Sequence, residues 1–383
     1  MRFCANILLP AGTVNAAIVE VDELGRIIAI DRDINRSIDH DFSGFFALPG
    51  FVDTHVHGAG GSDFMDADVE GVRTVARTHA KHGTTAMLAT TLTASRQDID
   101  RAIGAIVEVM LDPNDDEATI IGIHLEGPYI CAHRRGAQPE ASIRQPSIDE
   151  LVHWLEISGD RIKQITLAPE IEGAVPFIRY AVSRGVNVSI GHTDATFFEV
   201  EAAIAAGARI GTHLFNAMSG LSHRKPGAVG ALLTDDRTHC ELICDGLHID
   251  PAVVKLAMRA KGTSRIHLIT DAMSGASMPD GEYQLGGQPV LVRGGAARLT
   301  DGTLAGSVLT MNRALINAIN FTEASIHEAS HMSSLNAAFL CGADREMGTI
   351  EPGKRADIVI IDPLSGEVQA TFKAGRLAYL RAV

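Results

Sequence analysis

From Phe51 onward the chain repeats one pattern eight times: a short apolar run rich in β-branched residues, then a stretch with helical spacing. The runs are FVDTHVH (51–57), TAMLATTL (85–92), IIGIHLEG (120–127), QITLAPE (164–170), NVSIGHT (187–193), RIGTHLFNA (209–217), HCELICDGLH (239–248) and RIHLITDAM (265–273). Between them, segments such as VEGVRTVARTHAKHG and FFEVEAAIAAGA return an apolar residue every three or four positions and end in Gly, as amphipathic helices do. Eight strand–helix units predict an α/β fold, a closed (β/α)8 TIM-like barrel. Hydrophobic residues make up 46% of the chain and aromatics only 5%, which suits a core of Ala, Val, Ile and Leu around a parallel sheet.

A barrel of this kind needs about 250 residues, and the chain has 383. The surplus lies mostly at the two ends. Residues 1–48 read as strands with turns at DELGR and DFSG, and residues 349–383 include DIVIIDPLSGEVQATFKAGRLAYL, again strand-turn-strand. Neither arm buries much alone, so the two are expected to pair into a small β-sandwich domain, with residues 49–348 forming the catalytic barrel. The stretch 283–303, YQLGGQPVLVRGGAARLTDGT, reads as a hairpin before the last helices.

A formal charge of −14 disfavours nucleic acid and anionic membrane as partners. MRFCANILLP lacks a signal-peptide apolar region, and no run approaches the length of a membrane span, so a cytoplasmic location is expected. Five scattered cysteines argue against a disulfide framework, and Cys240 and Cys244 read as core thiols. One basic cluster, His223-Arg224-Lys225, precedes Pro226-Gly227 in a predicted loop; it reads either as a solvated patch or as a local anion site.

In such a barrel the chemistry sits at the C-terminal ends of the strands. His55 and His57 lie two apart at the end of the first run and share a face with Asp53. The third run ends in Glu126, the fifth in His192, the sixth contains His213 and the eighth ends in Asp271. Six nitrogen and oxygen donors with no Cys, converging on one mouth, predict a divalent-metal site, with zinc or ferrous iron compatible.

HxH after the first strand, His after the fifth and sixth and Asp after the eighth resemble the amidohydrolase superfamily. HLEGP (124–128), IGHTDA (190–195), THLFNAM (212–218), HRKPG (223–227), DGLH (245–248), TDAM (270–273) and LAGS (304–307) resemble its N-acetylglucosamine-6-phosphate deacetylase family along essentially the whole chain. The resemblance implies hydrolysis of the N-acetyl amide to acetate and an amino-sugar phosphate. It implies Glu126, His192 and His213 as main metal ligands and His55, His57 and Asp271 at a second position. Each subunit would then carry one or two divalent ions, zinc foremost, with iron, cobalt or manganese as alternatives. His124 and His267 lie one layer deeper and read as core groups behind the ligands. Asp271 is implied as the catalytic base and acid, taking a proton during attack and returning it to the amine. Sugar contacts are implied for Ala137, Gln138, Asn216, Ala217, Asp245, Gly246, Leu247, His248, Leu304, Ala305 and Gly306. Arg224 and His248 are implied to hold the phosphate and to reach a neighbouring subunit's site, hence a homodimer. One departure stands out: in RRGAQ the family often has His where this chain has Gln138, so an amide must serve where an imidazole could. The C4 epimer of the sugar, another amidohydrolase substrate of dihydroorotase or dipeptidase type, and a non-catalytic scaffold remain alternative readings.

Overall fold

The eight expected runs form eight parallel strands that pair in chain order in a computed structural model describing residues 1–32 and 37–382. Residues 33–36 of the N-terminal arm and residue 383 of the C-terminal arm lie outside the described residues. The barrel strands are Phe51–Val56, Thr84–Thr91, Thr119–Glu126, Ile162–Leu167, Asn187–Ile190, Ile210–Gly211, His239–Ile243 and Ile266–Ile269, referred to below as strands one to eight. No regular ladder joins strands one and eight among the described residues. Individual contacts close that seam at its C-terminal end. The Asp271 amide donates to the His55 carbonyl at 2.9 Å, and buried Asp53 accepts from the Thr270 hydroxyl at 2.5 Å.

The intervening helices start and stop where their local sequence dictates. Val69–Lys81 begins after Asp68, whose carboxylate accepts from the Gly71 amide. Phe197–Ala206 opens with Thr196 and Glu199 capping each other's backbone and ends at Gly207, satisfying donors that a helix start leaves free. Their apolar faces bury Val72, Val75, Val200 and Ile204 against the outside of the barrel.

Several of the strands stop short of their sequence runs, strands six and seven among them. Of 209–217 only Ile210–Gly211 is strand, and 239–248 stops at Ile243. The remainder of each run turns out over the mouth. His213, Phe215 and Ala217 have φ of 29°, 77° and 51°, a left-handed conformation that no continuing strand accommodates.

The chain ends build a separate sheet of seven strands, ordered Arg376–Leu380, Val368–Lys373, Ile358–Ile361, His40–Pro49, Arg2–Leu9, Gly12–Val21, Ile27–Asp31. The two arms meet where Val359 pairs antiparallel with Leu48. This sheet has its own core, in which Phe3 and Phe372 stack at 5.2 Å. The expected hairpin after strand eight is a three-stranded sheet, Gly281–Leu285, Gln288–Arg293 and Ala296–Arg298. Cys240 and Cys244 are buried free thiols, each pushed up to about 12 by burial.

Candidate active site

The six donors predicted from the strand ends come together in two adjoining groups, His55–His57–Asp271 and Glu126–His192–His213, all buried. In the second group Glu126 Oε1 lies 3.1 Å from both His192 Nε2 and His213 Nε2, and the two nitrogens are 3.1 Å apart. In the first, His55 Nε2 and His57 Nε2 are 3.3 Å apart, and Asp271 Oδ1 is 3.3 Å from His57 and 3.7 Å from His55. Glu126 joins the groups, since its Oε1 is 3.3 Å from His55 Nε2 and its Oε2 3.2 Å from His57 Nε2.

Backbone conformation aims these side chains. His192, His213 and Asp271 have φ of 48°, 29° and 49°, values costly for residues with a Cβ and concentrated at functional sites. The chain accommodates these turns with small neighbours. At Gly191 a Cβ would stand 2.6 Å from that of Thr212, and at Gly306, φ 62°, it would stand 3.0 Å from the Asp271 carbonyl oxygen.

The donor set fits a divalent ion on chemical grounds. His192 Nδ1 faces the Arg134 carbonyl at 3.0 Å and His55 Nδ1 faces a Glu241 oxygen at 3.0 Å. Both partners only accept, so each Nδ1 carries a proton and each Nε2 is the nitrogen left to face an ion inward. His192 Nε2 confronts the Glu126 carboxylate at 3.1 Å, an approach that requires a proton or a metal ion between them. Tetrahedral coordination with bonds of about 2.0–2.1 Å places donors about 3.3 Å apart, close to the separations found here. The titration behaviour reports the same field. Burial would push the Glu126 carboxyl up, but His55 and His192 hold it well below the usual range. Burial pulls His57 down, yet Asp271 and Glu126 raise it to about 9. The carboxylates demand cations, whether protons or a metal.

Above the donors lies a cavity of about 300 Å³ whose walls include His57, Glu126, His192, His213 and Asp271. Of the other residues singled out from the sequence, Ala137, Gln138, Asn216, Ala217, His248, Leu304 and Gly306 line it. Asp245, Gly246, Leu247, Ala305 and Arg224 do not. Asp245 instead staples its own turn, accepting from the Leu247 and His248 amides and from His248 Nδ1 at 2.6 Å. Ala305 is packed with Leu285 and Met273 under the three-stranded sheet. Arg224 is exposed on the loop after strand six. Gln138 is held at both ends of its amide, with Nε2 donating to Glu126 Oε2 at 2.6 Å and Oε1 accepting from the Thr93 amide at 2.8 Å. It thus restrains the carboxylate that joins the two groups.

His124, as expected, lies deeper, bonded to the Thr166 hydroxyl at 2.8 Å, and burial lowers it to about 3. His267 is buried 3.7 Å from Glu241. Sequence reasoning missed Leu92, His133, Arg134, Gly136, Leu285 and Thr303 in the walls; Leu285 ends a strand and the other five lie outside the strands, where no periodicity reports position. It also missed Glu241, although a lone carboxylate inside the apolar run HCELIC was a legible signal.

A model of the amidohydrolase family matches residues 46–378. Over 355 residues, 92% of this chain and 91% of the relative, the sequence is 43% identical to an N-acetylglucosamine-6-phosphate deacetylase of Lysinibacillus sphaericus. It is 41% identical over 331 residues, 86% of this chain and 87% of the relative, to an N-acetylgalactosamine-6-phosphate deacetylase of Escherichia coli O157:H7. Among solved structures, a mutant N-acetyl-D-glucosamine-6-phosphate deacetylase from Mycobacterium smegmatis, in complex with N-acetyl-D-glucosamine-6-phosphate, matches with a TM-score of 0.93 and 32% identity over 99% of both chains.

Proposed function

This chain belongs to the amidohydrolase family, and from that premise we propose that it hydrolyses N-acetyl-D-glucosamine 6-phosphate to D-glucosamine 6-phosphate and acetate. The observation that carries the reading is the pair of adjoining His/carboxylate groups at the floor of a sugar-sized cavity. Relatives of this length and identity act on N-acetyl-hexosamine phosphates by name.

Glu126, His192 and His213 would hold one divalent ion, and His55, His57 and Asp271 a second. Nitrogen and oxygen donors suit zinc, with iron, cobalt or manganese also compatible. Such an ion polarises the amide carbonyl and lowers the pKa of bound water to about 7. The Asp271 carboxylate, at the cavity wall, accepts the proton of the attacking water and delivers it to the departing nitrogen. That delivery is required because an amine leaves as a neutral base and an amide anion does not. Gln138, tied to Glu126, keeps the carboxylate oriented. His248, raised by its Asp245 partner against the pull of burial, presents a cation to the phosphate.

Arg224 is the second phosphate ligand in this reading and acts across a homodimer. In its own chain it is exposed and outside the cavity, which suits a residue completing the partner's site. The barrel, residues 49–348, carries the catalysis, and the chain-end domain braces it. A cytoplasmic enzyme is consistent with the finding that no helix among the described residues is long and apolar enough to cross a membrane.

Acetate release from N-acetylglucosamine 6-phosphate, measured beside elemental analysis of the same protein, tests the proposal. Metal-dependent release supports it, and metal-loaded protein that releases none sinks it. The 41% identical galactosamine-phosphate relative gives a second reading, the C4 epimer as preferred substrate, and the ratio of kcat/KM on the two sugars decides between them.

A further inference from the structure

The proposed chemistry leaves one charged group inside the barrel without a role. Glu241, on strand seven, is fully buried beneath the two donor groups. Its Oε2 lies 3.0 Å from His55 Nδ1 and accepts from the His213 backbone amide at 3.1 Å. Its Oε1 accepts from Gln164 Nε2 at 2.8 Å and stands 3.7 Å from His267 Nε2. The partners come from strands one, four and eight and from the turn after strand six. A carboxylate so deep is costly unless donors surround it, and a core of the same volume built from Val or Leu would serve packing at least as well. What Glu241 does that an apolar residue cannot is fix a proton. By accepting from His55 Nδ1 it leaves the opposite nitrogen free to bind an ion, and that nitrogen faces His57 Nε2 at 3.3 Å and Asp271 Oδ1 at 3.7 Å.

The geometry points to Glu241 as a positioning residue for an ion held by His55, His57 and Asp271: it locks His55 in the Nδ1–H tautomer, raises the donor strength of Nε2, and through the His213 amide sets where strand six breaks toward the second group. The inference rests on the metal reading above. Carboxylates placed behind a metal-bound histidine typically change metal affinity by about ten- to a hundredfold when removed. Glu241 thereby couples the two donor groups from below, as Glu126 does from within.

The test compares the wild-type holoenzyme with the Glu241→Gln protein, counting ions per subunit across a graded series of chelator concentrations. Glutamine keeps the shape and can still accept from His55 and His213 if the Gln164 amide turns over, so the substitution removes chiefly the charge. The variant is expected to release one ion at about ten- to a hundredfold lower chelator, while the other, on Glu126, His192 and His213, is retained as in wild type. Equal resistance of both ions in the two proteins overturns the inference. So does a wild-type protein with a single ion that His55→Gln leaves bound, since none then sits at His55, whereas a wild-type protein that binds no ion at all removes the metal reading itself. A second readout needs no variant at position 241. In the wild-type holoenzyme the His55 ring signals, identified by their loss in His55→Gln, should show a protonated Nδ1 and a bare Nε2 in nitrogen NMR. A proton on Nε2 overturns the inference even where Glu241→Gln fails to fold.

Discussion

Asp271 is held at the cavity wall by its backbone as much as by its side chain: its amide donates to His55 and its carbonyl accepts from Ser307 at 2.7 Å. Replacing it with Asn keeps both backbone bonds and the side-chain volume while removing the proton acceptor. Metal content should largely persist in Asp271→Asn while kcat falls by a factor on the order of 10² or more; near-normal turnover would assign the base elsewhere. His248 carries a pH signature. Burial pulls its imidazole down, but Asp245 more than offsets this and raises it above its ordinary value of 6.5, while Asp245 is held below 3.8 despite its own burial. The folded His248 therefore keeps a proton that the unfolded chain releases. Its stabilising contribution is complete below about pH 6.5 and fades as pH rises through the raised value. The Asp245 contribution is complete above about pH 3.8 and fades as pH falls through the lowered value. With His248 on the phosphate, KM for the phosphorylated sugar should climb as pH passes the raised value. His248→Gln should lose that limb of the profile, and an unchanged profile would remove His248 from the phosphate.

At the scale of the element, strand six shows how far sequence pattern reaches. RIGTHLFNA has the apolar content of a nine-residue strand, yet pairing stops after Gly211. His213 then turns into left-handed backbone, where its amide is held by Glu241 from the neighbouring strand. Burial alone dictates the apolar pattern, so the run continues through a segment that is buried without being strand. The loop that follows carries Arg224 away from its own cavity. Loss of a charge-assisted phosphate contact costs about 1.5–3 kcal/mol, or roughly ten- to a hundredfold. Arg224→Ala should lose that factor in kcat/KM on the phosphorylated sugar and almost none on N-acetylglucosamine. Equal losses on both would place Arg224 in folding or assembly. Mixing Arg224→Ala with Asp271→Asn chains should restore part of the activity if the site is shared between copies, because one site of each mixed pair then has both residues intact.

For the whole molecule the donor groups are also struts. Glu126, His192 and His213 come from strands three, five and six, and His55, His57 and Asp271 bridge the seam between strands one and eight, where the ladder is missing among the described residues. An ion that binds only the folded barrel stabilises it by about 4 kcal/mol at free metal near ~1,000 times Kd. Stripping the metal should therefore lower the thermal midpoint by several degrees, and re-addition of zinc should restore it. A midpoint indifferent to chelator would mean that the donors are occupied by protons and not by an ion.

The barrel was legible because its determinants are local and repeated: eight apolar runs, helical spacing between them, and glycines that end helices. The six donors were legible because strand ends of one barrel must share a mouth, so their position in the repeat placed them together. The pairing of the chain ends followed from two arms too small to bury a core alone. Tertiary structure alone decided what lies between these landmarks. That Gln138 grips Glu126, that Asp245 serves its own turn and that Glu241 reaches His55 across 186 positions are contacts that no periodicity encodes. Which buried donor meets which buried acceptor is set only when the strands close and each polar group must find a partner out of water.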